Sequence, residues 1–324
     1  MRWKVIRHRL REPFLWLAIR ALVLFVVRLR YRTLRRCAAG CARLLACIPD
    51  VRRTVKTNLR VAFPDWSDET VDRVFREVCN HICLTAFEAI WFAHNPQGLQ
   101  KRMTYVTPVA ERLIQEAREG VPLLMITPHL GNWEASAQYV VSQGVPLCAV
   151  VRRVESRAPE HLANDLRRRN GMEVIPGKGA VRGMIAALRT GKSIGVLMDQ
   201  GTKPKNGGVF APFFGLPVTT SRAPAALMRK LGVGAACFVC VRQDNGLLMD
   251  AKTLPKPVDE YASDAELTAD LLSLNEAFIR DYPEQYMWYY KRWRYIPPSL
   301  DGELEKRYPY YARSLSPGEI RESG

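Results

Sequence analysis

Between residues 123 and 241 the sequence alternates short apolar runs with longer amphipathic stretches, and this alternation constrains the fold more than any other feature. The apolar runs at 123–126, 147–151, 173–175, 194–198 and 234–241 predict strands, and the stretches at 133–143, 159–170, 180–190 and 221–231 predict helices. Each predicted helix is followed by a glycine, at position 144, 171, 191 or 232, where a left-handed helix-ending residue is expected. The pattern indicates an α/β fold with a central, mostly parallel sheet flanked by helices.

An apolar segment near the N-terminus, from Phe14 to Val27, has arginines on both sides. It is interrupted by Arg20, falls short of the roughly 20 apolar residues that span a bilayer, and is followed by no signal-peptide cleavage site. We therefore expect residues 1–36 to form a membrane-associated helix that lies in the bilayer interface, with a single membrane span as the alternative.

The remainder of the 324-residue chain is expected to form one large α/β domain at 37–298, followed by a polar tail at 299–324. Apolar residues at three- and four-residue spacing predict helices over 38–93, with a break at 64–67, and over 109–119. The tail is polar after two prolines, and we expect it to be poorly ordered.

The chain carries 48 Lys and Arg against 32 Asp and Glu, a net charge of +16. Such a balance favours a polyanionic partner, which could be nucleic acid, an anionic bilayer, a phosphorylated lipid or an acidic carrier protein. No zinc-finger or RRM signature is present and the basic residues gather around the apolar N-terminus, which disfavours nucleic acid.

The eight cysteines are scattered, and Cys237 and Cys240 lack a second pair, so buried thiols in a reducing compartment are expected rather than a zinc site.

The predicted strand at 123–126 leads directly to His129, which is followed five positions later by Glu134. On one continuous helix these side chains would lie about 140° apart, so a contact between them needs an irregular turn. Gly131 tolerates such a turn, and Asn132 is suited to cap a helix that starts near Trp133. A carboxylate bonded to one imidazole nitrogen would leave the other as a general base, although the spacing alone also fits a loop histidine beside an unrelated glutamate.

Further polar residues follow the other predicted strands, and ligands collect at the carboxyl ends of parallel strands. Arg152 and Arg153 could bind a phosphate or carboxylate, or could be solvated arginines in an arginine-rich chain. Asp199 follows a buried run, where a charge is expected to be paired or functional. Thr219 and Thr220 precede a predicted helix, and capping it is their simplest role.

Taken together in chain order, these blocks resemble the bacterial lipid A biosynthesis acyltransferases, the lauroyl and myristoyl transferases of the lysophospholipid acyltransferase superfamily. The blocks that carry the resemblance are 129–134, 152–153, 199–200, 208–215 and 219–220, with flanking signatures at 53–64, 283–288 and 291–293. The resemblance extends over about residues 10–298, and the combination is far more specific than any one motif.

The resemblance implies transfer of a fatty acyl group from an acyl carrier protein thioester to a hydroxyl of a lipid A precursor, at the cytoplasmic face of the bacterial inner membrane. It implies His129 as the general base, oriented by Glu134, where many superfamily members carry aspartate. Arg152, Arg153, Asp199 and Asn132 are the residues expected to bind substrate.

The expected partners are acyl carrier protein, a lipid A precursor and anionic lipids of the inner membrane, but not nucleic acid. We expect no metal or cofactor beyond the acyl carrier protein thioester, because alcoholysis of a thioester needs only a base. An acyltransferase with another acceptor, such as a phospholipid, an ornithine lipid or another glycolipid, fits the same residues. The aromatic run at 286–294 fits either a membrane interface or an edge segment packed on the core.

Overall fold

A computed structural model of the protein describes residues 2–151, 157–177, 179–298 and 300–320. The helices are α1 (Arg2–Arg28), α2 (Tyr31–Ala46), α3 (Pro49–Ala62), α4 (Asp68–His94), α5 (Pro96–Arg102), α6 (Pro108–Arg118), α7 (Trp133–Ser142), α8 (Arg157–Arg169), α9 (Ala180–Arg189), α10 (Ala223–Leu231), α11 (Asp264–Asp281), α12 (Gly302–Glu305) and α13 (Pro317–Ile320). The strands are β1 (Met103–Val106), β2 (Leu124–Thr127), β3 (Leu147–Val151), β4 (Glu173–Pro176), β5 (Ser193–Leu197), β6 (Gly208–Phe213), β7 (Leu216–Ser221), β8 (Ala235–Gln243), β9 (Gly246–Thr253), β10 (Tyr295–Ile296) and β11 (Arg313–Ser314).

A seven-stranded sheet in the order β1-β9-β8-β2-β5-β3-β4 forms the centre of the fold. The strands β8, β2, β5, β3 and β4 run in one direction, and β9 and β1 run in the other. The predicted α/β fold with a mostly parallel sheet is therefore confirmed, and each of the strands predicted between 123 and 241 is present. Strand β9, which pairs antiparallel with β8, and helix α11 lie beyond the alternating stretch and were not predicted.

Strand β2 is buried on both faces of the sheet, which explains its unbroken apolar sequence. Met125 points into the core formed with α4, α6 and α7, whereas Leu124 and Ile126 point into the core formed with α9, α10 and α11. The two faces are thus covered by different sets of helices, and β2 lies between β5 and β8 near the middle of the sheet.

The helical region upstream of the sheet contains two breaks that the periodicity did not reveal, one at 29–30 and one at 47–48. Helix α2 ends at Ala46 and α3 begins at Pro49, a residue that is favoured in the first turn of a helix. The predicted break at 64–67 is present, and Ser67 caps α4 by accepting a hydrogen bond of 3.2 Å from the Thr70 backbone N–H. The N-terminal segment, expected as one helix over 1–36, is helical in α1 but ends at Arg28, and the residues from Tyr31 onward belong to α2.

Among the residues that the structure describes, no helix combines the length and the apolar character needed to cross a membrane.

The aromatic run near the C-terminus is held on the core by the upstream signature. Asn58 Nδ2 donates to the carbonyl oxygens of Trp288, at 2.6 Å, and Tyr290, at 2.9 Å. The Trp288 and Trp293 side chains are almost completely buried, in contact with the aromatic cluster around Phe213. Of the two alternatives predicted for the aromatic run, these two indoles therefore follow the second: they pack on the core.

Residues 300–320 are folded against the domain, which differs from the expectation of a poorly ordered tail. Strand β11 pairs with β10, and the Glu319 carboxylate accepts two hydrogen bonds of 2.8 Å from Arg313. Lys203, in the loop after β5, also pairs with Glu319 at 2.7 Å. The charged residues of this polar tail pair with each other and with the domain. Composition alone does not reveal such pairing.

Candidate active site

His129 lies two residues beyond the end of β2, in a turn that leads into α7. Gly131 has a φ of 60°, and a side chain at this position would place its Cβ 2.2 Å from the Cys240 carbonyl oxygen, so only glycine fits. Asn132 Oδ1 accepts a hydrogen bond of 2.9 Å from the Ala135 backbone N–H and caps α7. The predicted glycine turn and asparagine cap are both present.

The imidazole of His129 is bonded to the carboxylate of Asp199. His129 Nδ1 lies 2.7 Å from Asp199 Oδ1, and the His129 backbone N–H donates to Asp199 Oδ2 at 2.8 Å. The two residues meet because β2 and β5 are parallel neighbours in which Thr127 is paired with Leu197, and each functional residue follows its strand by two positions. Both side chains are buried.

The charge of Asp199 is stabilised inside the protein. Burial by itself raises the pKa of this carboxyl, but the hydrogen bonds from His129, the charge that His129 carries when it is protonated, and the charge of Arg292 outweigh burial and hold the pKa below its usual value. Arg292 is buried, and its Nη1 donates to the Thr219 carbonyl oxygen at 2.6 Å. Burial and the neighbouring Asp199 charge raise the pKa of Tyr286, which therefore stays neutral. Asp199 is thus ionised at neutral pH.

The ionised carboxylate determines which imidazole nitrogen carries the proton. Because a carboxylate can only accept hydrogen bonds, His129 Nδ1 is assigned as the N–H donor, which leaves the lone pair on Nε2. Among the described residues, none forms a hydrogen bond with Nε2 of His129. The indole of Trp133 packs edge-on against the imidazole, with ring centroids 5.0 Å apart. This arrangement can accept a proton at Nε2.

Glu134 is in the first turn of α7, as predicted, but its carboxylate is bonded to Arg167 of α8. Arg167 Nε donates to Oε2 at 3.2 Å and Nη2 donates to Oε1. Within the described part of the chain, no hydrogen bond joins Glu134 to His129. The position expected for Glu134 beside the imidazole is occupied by Asp199, because the adjacent strand ends bring Asp199 to the histidine whereas α7 directs Glu134 toward α8.

The four residues expected to bind substrate differ in what the structure shows for them. Asn132 is completely buried, and its amide is bonded to Ala135 and Glu88, so it has no exposed atom with which to contact a substrate. Asp199 is bonded to His129. Arg152 and Arg153 lie outside the described residues, and their phosphate-binding role stays a prediction.

Thr219 and Thr220 belong to a hairpin and do not cap a helix. They lie in β7, which pairs antiparallel with β6, and α10 begins only at Ala223. Thr220 Oγ1 instead donates to the Met198 carbonyl oxygen at 2.9 Å, next to Asp199. The hairpin therefore supports the loop that carries Asp199.

Tyr286 and Arg292 surround Asp199 without having been assigned a role from the sequence. Both lie in the flanking signatures at 283–288 and 291–293, and a charged residue within an aromatic run is the signal that could have identified Arg292. The signature at 283–288 also supports the histidine directly, because the Met287 backbone N–H donates to the His129 carbonyl oxygen at 3.0 Å.

Comparison with known proteins shows that the sequence of this chain is similar to one enzyme family. The model of the bacterial lipid A biosynthesis acyltransferase family matches residues 4–295. A lipid A biosynthesis lauroyltransferase of Escherichia coli strain K12 is 28% identical over 293 residues, which cover 88% of this chain and 92% of that protein. The lipid A biosynthesis myristoyltransferase of the same strain is 24% identical over 272 residues, 82% of this chain and 80% of that protein. Its palmitoleoyltransferase is 24% identical over 249 residues, 75% of this chain and 78% of that protein.

Proposed function

We propose that this chain, which belongs to the bacterial lipid A biosynthesis acyltransferase family, transfers a fatty acyl group from acyl carrier protein to a hydroxyl of a lipid A precursor. Membership of the family makes it an acyltransferase of lipid A biosynthesis. The observation that carries the proposed mechanism is the bond of 2.7 Å between His129 Nδ1 and the buried, ionised Asp199.

In the proposed reaction, His129 Nε2 removes the proton from the acceptor hydroxyl as its oxygen attacks the thioester carbonyl. The oxygen–carbon bond forms, the carbon–sulfur bond breaks, and the leaving thiolate receives the proton from the imidazolium. Asp199 holds the tautomer and stabilises the transient positive charge, which costs less in a buried site that already contains an ionised partner. The reaction needs no acyl-enzyme intermediate.

The test of this proposal is an assay of the purified protein with acyl carrier proteins that carry chains of several lengths. A lipid A precursor and a lysophospholipid serve as alternative acceptors, and mass spectrometry identifies the products. Acyl transfer to the lipid A precursor supports the proposal. Transfer only to the lysophospholipid, or no transfer from any acyl carrier protein, contradicts it. We expect a chain in the lauroyl to myristoyl range, in keeping with the resemblance found in the sequence.

Glu134, five positions after the base, forms an ion pair with Arg167, and we propose that Glu134 orients this arginine toward the acceptor. Glu134→Gln keeps the shape but removes the charge, so we expect it to lower kcat by about tenfold, less than the loss from Asp199→Asn. The matched kinetic comparison of the two amide variants tests the assignment. A loss from Glu134→Gln equal to or larger than that from Asp199→Asn would identify Glu134 as the carboxylate on which the base depends.

We further propose that α1 binds the cytoplasmic face of the inner membrane. Its side chains Phe14, Leu17, Leu24 and Phe25 are each at least 50% exposed although they are apolar. Exposed arginines follow this face, at positions 28, 30, 32, 35 and 36. An apolar surface next to a cluster of positive charge fits an interface that contains anionic headgroups.

The paired substitution Leu17→Glu and Phe25→Glu is expected to lower the retention of the protein on vesicles with anionic lipid by at least about tenfold. Burial of each side chain in the membrane contributes about 1.5–3 kcal/mol, and each glutamate adds repulsion. Val181→Glu, at an exposed apolar residue of α9, is the control and should bind like the unaltered protein. Co-sedimentation at low and high salt measures the effect. Equal retention of all three proteins, or equal retention on duplex DNA, would contradict the proposed membrane surface.

A further inference from the structure

Glu88, in α4, is a completely buried carboxylate that lies outside the His129–Asp199 pair. It accepts hydrogen bonds from the Tyr31 hydroxyl at 2.6 Å, from Asn132 Nδ2 at 2.9 Å, and from Arg242 Nε and Nη2 at 3.1 and 2.7 Å. A buried carboxylate persists only when it is paired and hydrogen-bonded, and Glu88 meets this condition with four donor atoms.

Arg242, at the carboxyl end of β8, extends this network to the backbone of the catalytic turn. Its Nη2 donates to Thr85 Oγ1 at 2.7 Å, and Thr85 Oγ1 donates in turn to the Gly131 carbonyl oxygen at 2.8 Å. The Arg242 main chain exchanges two hydrogen bonds of 2.9 Å with the Gln285 side chain. The arginine therefore joins α4, β8 and the segment around Gln285.

The turn at 130–132 is consequently held by hydrogen bonds to its backbone and to the side chain of Asn132. Besides the bond from Thr85, the Asn132 backbone N–H donates to the Cys240 carbonyl oxygen at 2.7 Å, and the Gly131 backbone N–H donates to the Gln285 carbonyl oxygen at 3.0 Å. The Asn132 side chain is bonded to Glu88. These contacts restrict the segment that directly follows His129.

We propose that Glu88, Arg242 and Thr85 form a positioning network that fixes the catalytic turn, and with it the direction of His129 Nε2. The inference rests on the proposed function of His129 as the base. Among the described residues, none of these three forms a hydrogen bond with the His129 imidazole, so each acts through the turn. A displacement of a base by about 1 Å can lower a rate by about a hundredfold, which is why a rigid support affects catalysis as well as stability.

A buried ion pair can also be purely structural, and the contact with Gly131 is what distinguishes the two roles. Thr85→Val keeps the shape of the side chain but removes the hydroxyl that donates to Gly131. Thr268→Val is the matched control, because Thr268 is buried in α11 and its hydroxyl donates to the Asp264 carbonyl oxygen at 2.6 Å, in contacts that do not involve the turn.

We expect Thr85→Val to lower kcat by about tenfold while the KM for each substrate changes by less than about twofold. Thr268→Val should leave kcat within about twofold, although both variants lower the melting temperature by about 2 °C. Thr85→Ser retains the hydroxyl and should restore kcat to within about threefold of the unaltered protein. Equal kcat values for Thr85→Val and Thr268→Val, or failure of Thr85→Ser to restore kcat, would overturn the proposal.

Amide hydrogen exchange gives a second measurement that does not depend on activity. In Thr85→Val the backbone N–H groups of Gly131 and Asn132 should exchange at least about tenfold faster, and in Thr268→Val they should not change. Unchanged exchange in Thr85→Val overturns the network. If the unaltered protein transfers no acyl group, the proposed function fails, while the exchange comparison still decides whether Thr85 fixes the turn.

Discussion

Replacement of His129 by glutamine is expected to lower acyl transfer by at least about a hundredfold, which is the lower end of the effect of losing a general base. The glutamine amide can still donate a hydrogen bond to Asp199, so the buried carboxylate keeps a partner and the fold is retained. What is lost is the basic lone pair of Nε2. The measurement is the single-turnover rate of acyl transfer at saturating concentrations of both substrates, together with thermal unfolding to verify the fold.

His94→Ala is the control for this variant, because His94 lies at the end of α4 and its Nδ1 is 2.9 Å from the Ile90 carbonyl oxygen, within its own helix. We expect it to retain the rate of the unaltered protein. Acyl transfer by His129→Gln at more than about a tenth of the normal rate would exclude His129 as the base. In that case the family assignment would stand, but the mechanism would need another group.

Asp199→Asn is expected to lower acyl transfer by about a hundredfold to ten-thousandfold without removing any atom from the imidazole. An asparagine amide nitrogen facing His129 would donate and not accept, which favours the tautomer that carries its proton on Nε2. That tautomer cannot remove a proton from the acceptor. The loss is expected mainly in kcat, since Asp199 is bonded to His129 and acts through it.

Asp250→Asn provides the matched control, because Asp250 accepts a hydrogen bond of 2.8 Å from Thr107 and belongs to β9. It should retain near-normal kcat. A near-normal rate for Asp199→Asn, measured on a folded protein, would show that the bond between His129 and Asp199 has no part in catalysis. Comparison with Glu134→Gln then shows which carboxylate the reaction needs.

The pKa of Asp199 also predicts how stability changes with pH. Because the folded protein holds this pKa below its usual value, the ionised carboxylate contributes stability above the unfolded-state pKa of about 3.9, and this contribution is lost as the pH falls through the lower folded-state pKa. The advantage of the unaltered protein over Asp199→Asn should therefore be largest near neutral pH and should shrink below about pH 4. Urea unfolding at pH 7 and at about pH 2.5 measures this difference.

Much of the fold is encoded locally and could be predicted from the sequence. Apolar runs and their glycine-terminated helices depend on neighbouring residues in the chain, so the five strands of the central sheet between 123 and 241 and their mostly parallel arrangement were predicted correctly, whereas the hairpin of β6 and β7 was not. The turn at Gly131 and the cap at Asn132 were predicted for the same reason, because backbone conformation and capping are local properties. The folded tail was missed, since its order depends on the pairing of Glu319 with Arg313 and the distant Lys203.

By itself, the sequence determined that a histidine ends a central strand, that a carboxylate follows another, and which family the pattern resembles. Only the tertiary structure decided which carboxylate holds the histidine. Glu134 is five residues away in sequence, but α7 turns it toward Arg167, whereas Asp199 is seventy residues away and lies opposite His129. The reason is strand order: β2 and β5 become neighbours through non-local packing of the whole sheet, and their register sets the two strand ends side by side.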